Sequence, residues 1–198
     1  MPSGASGDRQ LGGAGISMTY PEQYRTELLA AIQSVDLAGV RAAVTMFREA
    51  RAQGHRIFAC GSGRSAMASS QLCGLVREAS LTRSNGFRIF ALTNELTEAG
   101  ERLHDRIFVD QLKNIAEHGD VVVGVSSSGN SADLLRAFEY SCRIGCQNIS
   151  ITGWDGDKLA SMANVAIVVR ASHVGSVEDA LMIVCHMIGY YFANYDRA

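Results

Sequence analysis

A chain of 198 residues with 47% hydrophobic content can bury one full core, and its size suits one domain with appendages. Net charge of -2 and a pI near 6.2 leave no basic footprint for nucleic acid, although a local basic patch stays open. With no apolar run of the roughly 18 residues a membrane span requires, and no apolar leader segment, no membrane partner and a cytoplasmic location are expected.

Residues 1–17 are rich in Gly and Ser and lack apolar periodicity, so they are expected to form a disordered tail, with residues 18–198 as one domain. Leu28, Leu29 and Ile32 give Tyr20–Val35 a helical spacing, and Val40, Val44 and Phe47 do the same for Leu37–Gln53. These residues 20–53 read as an antiparallel helical pair, with Asp36 capping the second helix. After Gly54, short apolar runs alternate with longer helical patterns. Arg56–Cys60, Phe87–Leu92, Val121–Val125, Asn148–Thr152 and Val165–Val169 read as strands. Ser65–Glu78, His104–Glu117, Ser131–Ile144, Lys158–Ala163 and Val177–Asn194 read as helices.

Short apolar strands separated by helices require crossover connections, which predicts a three-layer α/β/α sandwich around a five-stranded parallel sheet. In such a sheet the ligand sits beyond the carboxyl ends of the strands, where strand order reverses. Three strand-to-helix turns are candidates. Gly61–Ser62–Gly63–Arg64–Ser65 offers tight backbone and hydroxyls at a helix start, yet Ala66 stands where a dinucleotide fingerprint needs its third glycine. Ser126–Ser127–Ser128–Gly129–Asn130–Ser131 places hydroxyls before another helix, a seat for phosphate or another small anion. Gly153–Trp154–Asp155–Gly156–Asp157 is the third. Each turn also suits plain helix capping.

The five cysteines sit mostly inside apolar elements, which fits reduced, buried thiols. Cys142 and Cys146 stand i,i+4 on a predicted helix, half of a metal site that no second pair completes.

The stretch Gly119–Asp120–Val121–Val122–Val123–Gly124–Val125–Ser126–Ser127–Ser128–Gly129–Asn130–Ser131, with Ile151–Thr152–Gly153–Trp154–Asp155–Gly156 downstream, resembles the SIS (sugar isomerase) domain family. Within it, the resemblance is to the phosphoheptose isomerase group. It runs from about Tyr20 to the C-terminus and takes in Asp105–Arg106–Ile107–Phe108. It implies a homo-oligomer, expected to be a tetramer, with sites at subunit interfaces, and a sugar phosphate as ligand. Ser126, Ser128 and Ser131 take the phosphate role by position, with Ser65, Gly63, Asn130 and Gln71 placed toward the sugar.

Interconversion of an aldose and a ketose needs a base that moves a proton between C1 and C2 through an enediol, and an acid that opens or polarises the sugar. Glu178 and His186 are candidates: eight residues apart on a helix, they project within about 80° of each other and roughly 12 Å apart along its axis. The competing structural reading makes Glu178 and Asp179 dipole partners of the helix start and His186 a core histidine.

The chain departs from the phosphoheptose isomerases at two positions. Gln71 and Leu75 stand where that group carries a histidine and a catalytic glutamate, so the usual zinc ligand set is incomplete and no cofactor is expected. His186 matches the group's histidine, whereas Glu178 replaces its glutamine and is similar to 6-phospho-3-hexuloisomerases, as is the arginine-bearing first turn. Three readings follow: an isomerase of a sedoheptulose 7-phosphate-like substrate with Glu178 as base, a 6-phospho-3-hexuloisomerase-like enzyme, or a non-catalytic phosphosugar sensor or assembly protein. Trp154 as a stacking residue, Glu95 or Glu98 as an alternative base, and His173 near substrate are lesser candidates, with His55 and His104, at element boundaries, read as capping or surface residues.

Overall fold

The computed structural model describes residues 18–81, 85–92 and 105–196, apart from the Asp157 side chain; residues 1–17, Glu95, Glu98 and His104 lie outside that set. The five apolar runs are strands: β1 (Arg56–Gly61), β2 (Arg88–Ala91), β3 (Val121–Ser126), β4 (Gln147–Gly153) and β5 (Val165–Val169). They pair in parallel in the order β2-β1-β3-β4-β5, the expected five-stranded sheet. Buried on both faces, β3 reads as an almost unbroken valine run because neither set of alternating side chains meets water.

Seven helices among the described residues complete three layers: α1 (Tyr20–Gln33), α2 (Leu37–Gln53), α3 (Ser65–Glu78), α4 (Ile107–Ile115), α5 (Ala132–Ile144), α6 (Asp157–Ser161) and α7 (Val174–Asn194). Val121, Val123 and Val125 point into a core shared with α2, α3 and α7, and Phe58, Cys60 and Val122 into a second core under α4, α5 and α6. The helices that follow β1 and β3 thus pack on opposite faces. Their divergence opens a crevice between the ends of these two strands.

Asp36 caps α2 as expected, accepting the Ala38 N–H at 2.8 Å. The antiparallel arrangement of α1 and α2 is not found: the two axes meet in a bend of 59°. Ser34 keeps right-handed helical angles and Asp36 is extended, so the short link bends the chain and makes no reversal. No single helix among the described residues is long and apolar enough to cross a membrane.

β1, β3 and β4 each run one residue further than the periodicity predicts, to Gly61, Ser126 and Gly153, which brings the first residue of every candidate turn into the sheet. α7 starts three residues earlier, at Val174, and α4 is shorter at both ends. At the opposite end of the sheet, buried Asp120 accepts the N–H groups of Arg56 (2.8 Å) and Glu117 (2.9 Å), fixing the starts of β1 and β3.

All five cysteines are free thiols, and Cys142 alone is exposed. Burial pushes the Cys73 and Cys185 thiols up to about 12, so both stay neutral. Cys146 lies beyond the left-handed cap Gly145 and so does not share the α5 helix with Cys142, contrary to the i,i+4 reading. Among the described residues no group of three or more His, Cys, Asp and Glu side chains is arranged to hold a metal.

Candidate functional site

Gly61 of β1 pairs in register with Val125 of β3, which sets residues 62–65 beside residues 126–131 at the point of strand reversal. Gly63 has φ +55°, a left-handed geometry that glycine adopts without steric cost. The chain then turns into α3 with Arg64 at its N-cap and Ser65 buried in its first turn.

In the second turn, buried Ser126 accepts the Gly129 N–H at 3.0 Å and shares a 3.0 Å hydrogen bond with the Ser131 hydroxyl. Ser128 is exposed and accepts the Asn130 N–H at 3.2 Å. Ser131 is the N-cap of α5 but makes no side-chain cap bond; its hydroxyl turns to Ser126. Two hydroxyls therefore meet at the positive end of α5, where an anion is favoured.

The third turn holds the second in place. The Gly129 carbonyl accepts the Leu159 N–H at 3.0 Å, and a Cβ on Gly129 would lie 2.3 Å from the Gly156 carbonyl oxygen. Trp154 sits on this turn with φ +56°, its side chain exposed.

A link that the sequence reading passed over joins the first two turns: the Ser62 hydroxyl donates to the buried carboxylate of Asp133, in the first turn of α5. Asp133 also accepts the Leu134 N–H at 2.8 Å. Its only sequence signal is an acid two places after the last serine, common in any first helical turn.

Glu178 comes to the first turn from the far end of the chain. Its Oε1 accepts from Arg64 Nε at 2.7 Å, and the two residues line a cavity of about 230 Å³ with Ser65 and Asp179. Arg64 is the second residue missed as a partner. His186 is half-buried further along α7, its ring edge-on to Tyr190 with centroids 5.6 Å apart. Gln71 is exposed on α3, and neither it nor His186 lines this cavity.

Leu75 is buried between α3 and α7, against Gly189: a Cβ on Gly189 would lie 2.7 Å from the Leu75 Cβ. The residue is core packing. Before α7, His173 packs edge-on against Tyr24 with centroids 5.6 Å apart, and its Nδ1 is buried without a hydrogen-bond partner among the described residues. His55 is half-buried beyond the end of α2, its ring hydrogen-bonded to the Gln53 side chain and 4.0 Å from Asp120 on a cavity at the opposite end of the sheet.

A doubly wound parallel sheet with hydroxyl-lined turns at its reversal point defines an α/β protein whose turns have the chemistry of a seat for a small anion. The SIS domain pattern matches residues 20–153, and the chain belongs to that family. It is 30% identical to a phosphoheptose isomerase of Aliarcobacter butzleri over 68% of this chain and 74% of that one. It is equally similar, at 30% identity over 74% of this chain and 76% of the other, to the DnaA initiator-associating protein DiaA of Klebsiella pneumoniae. The fold matches a solved phosphoheptose isomerase of Neisseria gonorrhoeae with a TM-score of 0.74 and 22% identity, covering 86% of this chain and 95% of that chain.

Proposed function

We propose that the protein binds a sugar phosphate at the crevice between β1 and β3 and interconverts its aldose and ketose forms through an enediol. The observation that supports this reading is the convergence of Ser65 and Glu178 on one cavity at the first turn, although they are far apart in sequence. The Ser126, Ser128 and Ser131 hydroxyls and the α5 start take the phosphate. Glu178 is the base that carries the proton between C1 and C2, and the Arg64 hydrogen bond keeps it aimed. His186 assists ring opening, and Ser65, Gly63, Asn130 and Gln71 contact the sugar. The similarity to phosphoheptose isomerases favours a heptulose phosphate, with a 6-phospho-3-hexulose as the alternative that Glu178 suggests.

His186 lies outside the cavity of the single chain, and exposed Met67 and Tyr190 leave apolar surface on α3 and α7. Both features fit a homo-oligomer, a tetramer in this reading, residing in the cytoplasm, in which a second copy closes the site. Light scattering gives the mass. Catalysis is tested by incubating the protein with heptulose, hexulose, pentulose and amino-sugar phosphates in deuterated water, with and without zinc. Deuterium enters at C1 or C2 of one of them, and Glu178→Gln abolishes the exchange; unchanged exchange in that variant removes Glu178 from the reaction.

Leu75 favours a second reading. The position where the resemblance places a glutamate is filled by a buried packing residue, as suits a protein that binds a phosphosugar without turning it over. The similarity to DiaA gives that reading an assembly role. Sugar phosphate binding without deuterium incorporation selects it.

A further inference from the structure

The outer face of α4 and α5 carries a basic cluster that the crevice does not use. Arg106, at the N-cap of α4, is followed by Lys113 in its last turn, and Arg136 is followed by Arg143 along α5. The spacing is close to two helical turns in each case, so each pair shares one face, with its cations about 10 Å apart along the axis. All four line a cavity of about 190 Å³ together with Glu139 and Tyr140. α4 and α5 cover the sheet face opposite α3 and α7, which separates this cavity from the one at Glu178. Since the whole chain has a net charge of -2, the cluster is a local feature and not a sample of a basic surface.

Carboxylates hold three of the cations in place. Asp110 pairs with Lys113 at 3.0 Å and with Arg106 at 3.2 Å, and Asp105 pairs with Arg136 at 2.6 Å. Arg143 makes no ion pair among the described residues; its guanidinium lies 5.3 Å from the centre of the Tyr140 ring. With Glu139 included, four cations stand against three carboxylates. Each guanidinium carries N–H donors on three nitrogens. Asp110 engages Nε and Nη2 of Arg106, and Asp105 engages Nη2 of Arg136. Arg106 Nη1, Arg136 Nε and Nη1, and the entire Arg143 fork are left for a ligand.

We propose that this cavity is a second anion site, independent of the crevice, which takes consecutive phosphate groups: a free condensed phosphate or the tail of a nucleoside triphosphate. Phosphate oxygens match the planar forks of three arginines, which bind them in pairs. Cations about 10 Å apart along each helix suit a ligand whose negative charges are strung out, whereas a lone phosphate ion cannot bridge them. The volume lies below the roughly 300–1,000 Å³ of sites that enclose drug-sized ligands, so the phosphates enter and any nucleoside stays outside. An excess of a single positive charge is too small to retain a nucleic acid, whose binding draws on many phosphate contacts.

Isothermal titration calorimetry with tripolyphosphate tests the site, with inorganic monophosphate as the negative control. Arg136→Gln combined with Arg143→Gln is expected to weaken tripolyphosphate binding about tenfold or more, because charge-assisted hydrogen bonds from two guanidinium groups are lost. Glu139→Gln removes the carboxylate that opposes the ligand and should tighten binding about two- to threefold, a gain that a misfolded protein cannot give. Ser131→Ala, at the serine turn, should leave this binding in place. Adenosine triphosphate that binds as tightly as tripolyphosphate identifies the nucleotide tail as the source; binding about tenfold weaker identifies the free condensed phosphate. Tripolyphosphate that fails to bind the wild type, or whose whole binding signal survives in the double arginine variant, overturns the site. A signal that Ser131→Ala abolishes belongs to the crevice and overturns it as well. Deuterium exchange into a sugar phosphate reads the crevice alone, so either proposal can fail while the other stands.

Discussion

Gly129 and Gly54 form a matched pair for testing how the serine turn is held. Both are left-handed, with φ +69° and +73°, but a Cβ on Gly54 meets nothing within 4 Å, whereas one on Gly129 lies 2.3 Å from the Gly156 carbonyl oxygen and 2.7 Å from its carbon. Alanine at either position costs about 1–2 kcal/mol for the left-handed backbone alone. At Gly129 the obstacle is backbone, which cannot rotate away, so a further overpacking cost of about 1–3 kcal/mol applies. Gly54→Ala is therefore expected to lose about 1–2 kcal/mol and Gly129→Ala about 2–5 kcal/mol in urea unfolding at unchanged m-value. Gly129→Ala also displaces the amide that donates to Ser126, so protection of the fold by a sugar phosphate or inorganic phosphate in thermal unfolding should vanish, while Gly54→Ala retains it. Equal losses in the two variants, or phosphate protection that survives in Gly129→Ala, would refute the packing of the second turn on the third as the device that shapes the seat.

Asp196→Ala breaks a pair with Arg51 at 2.6 Å whose side chains are 2% and 7% exposed, and is expected to cost about 3–5 kcal/mol in urea unfolding, against about 0.5 kcal/mol for Arg106→Ala at an exposed helix pair. A thiol reagent should titrate Cys142 alone in the native protein and the four buried thiols only on unfolding; a second fast thiol would contradict the burial of Cys146. In ultraviolet titration the Tyr24 phenol ionises near pH 12, and Asp179→Asn returns it toward the ordinary value near 10, because the Asp179 hydrogen bond is the largest cause of the rise. With the folded value above the unfolded one, this bond's stabilising effect is complete below about pH 10 and is lost as pH climbs to 12, which Tyr24→Phe should abolish.

The sheet and both serine-bearing turns were legible because burial on two faces forces short apolar strands, and a turn to a helix forces Gly, Ser and caps at fixed places. Ser62 with Asp133, Arg64 with Glu178 and Tyr24 with Asp179 were not legible, since each joins residues far apart in sequence and carries no periodic signature. The direction of α1 was misread for a related reason. A short link and two amphipathic patterns are compatible with a bend or a reversal, and only packing against α7 selects between them.

The distribution of charge across the crevice follows from that geometry. Asp133 places a carboxylate beneath the serine turn, where it opposes an incoming phosphate, yet its oxygens are engaged by the Ser62 hydroxyl and the Leu134 N–H. Attraction therefore rests on the α5 start and the paired hydroxyls of Ser126 and Ser131, with Arg64 the guanidinium of the first turn. Because Arg64 is held by Glu178, a ligand whose phosphate reached toward it would compete for the guanidinium and strip Glu178 of its partner. In the proposed reaction, phosphate and reacting carbons therefore lie at opposite ends of the ligand, the phosphate on the serine turn and C1 and C2 at Glu178.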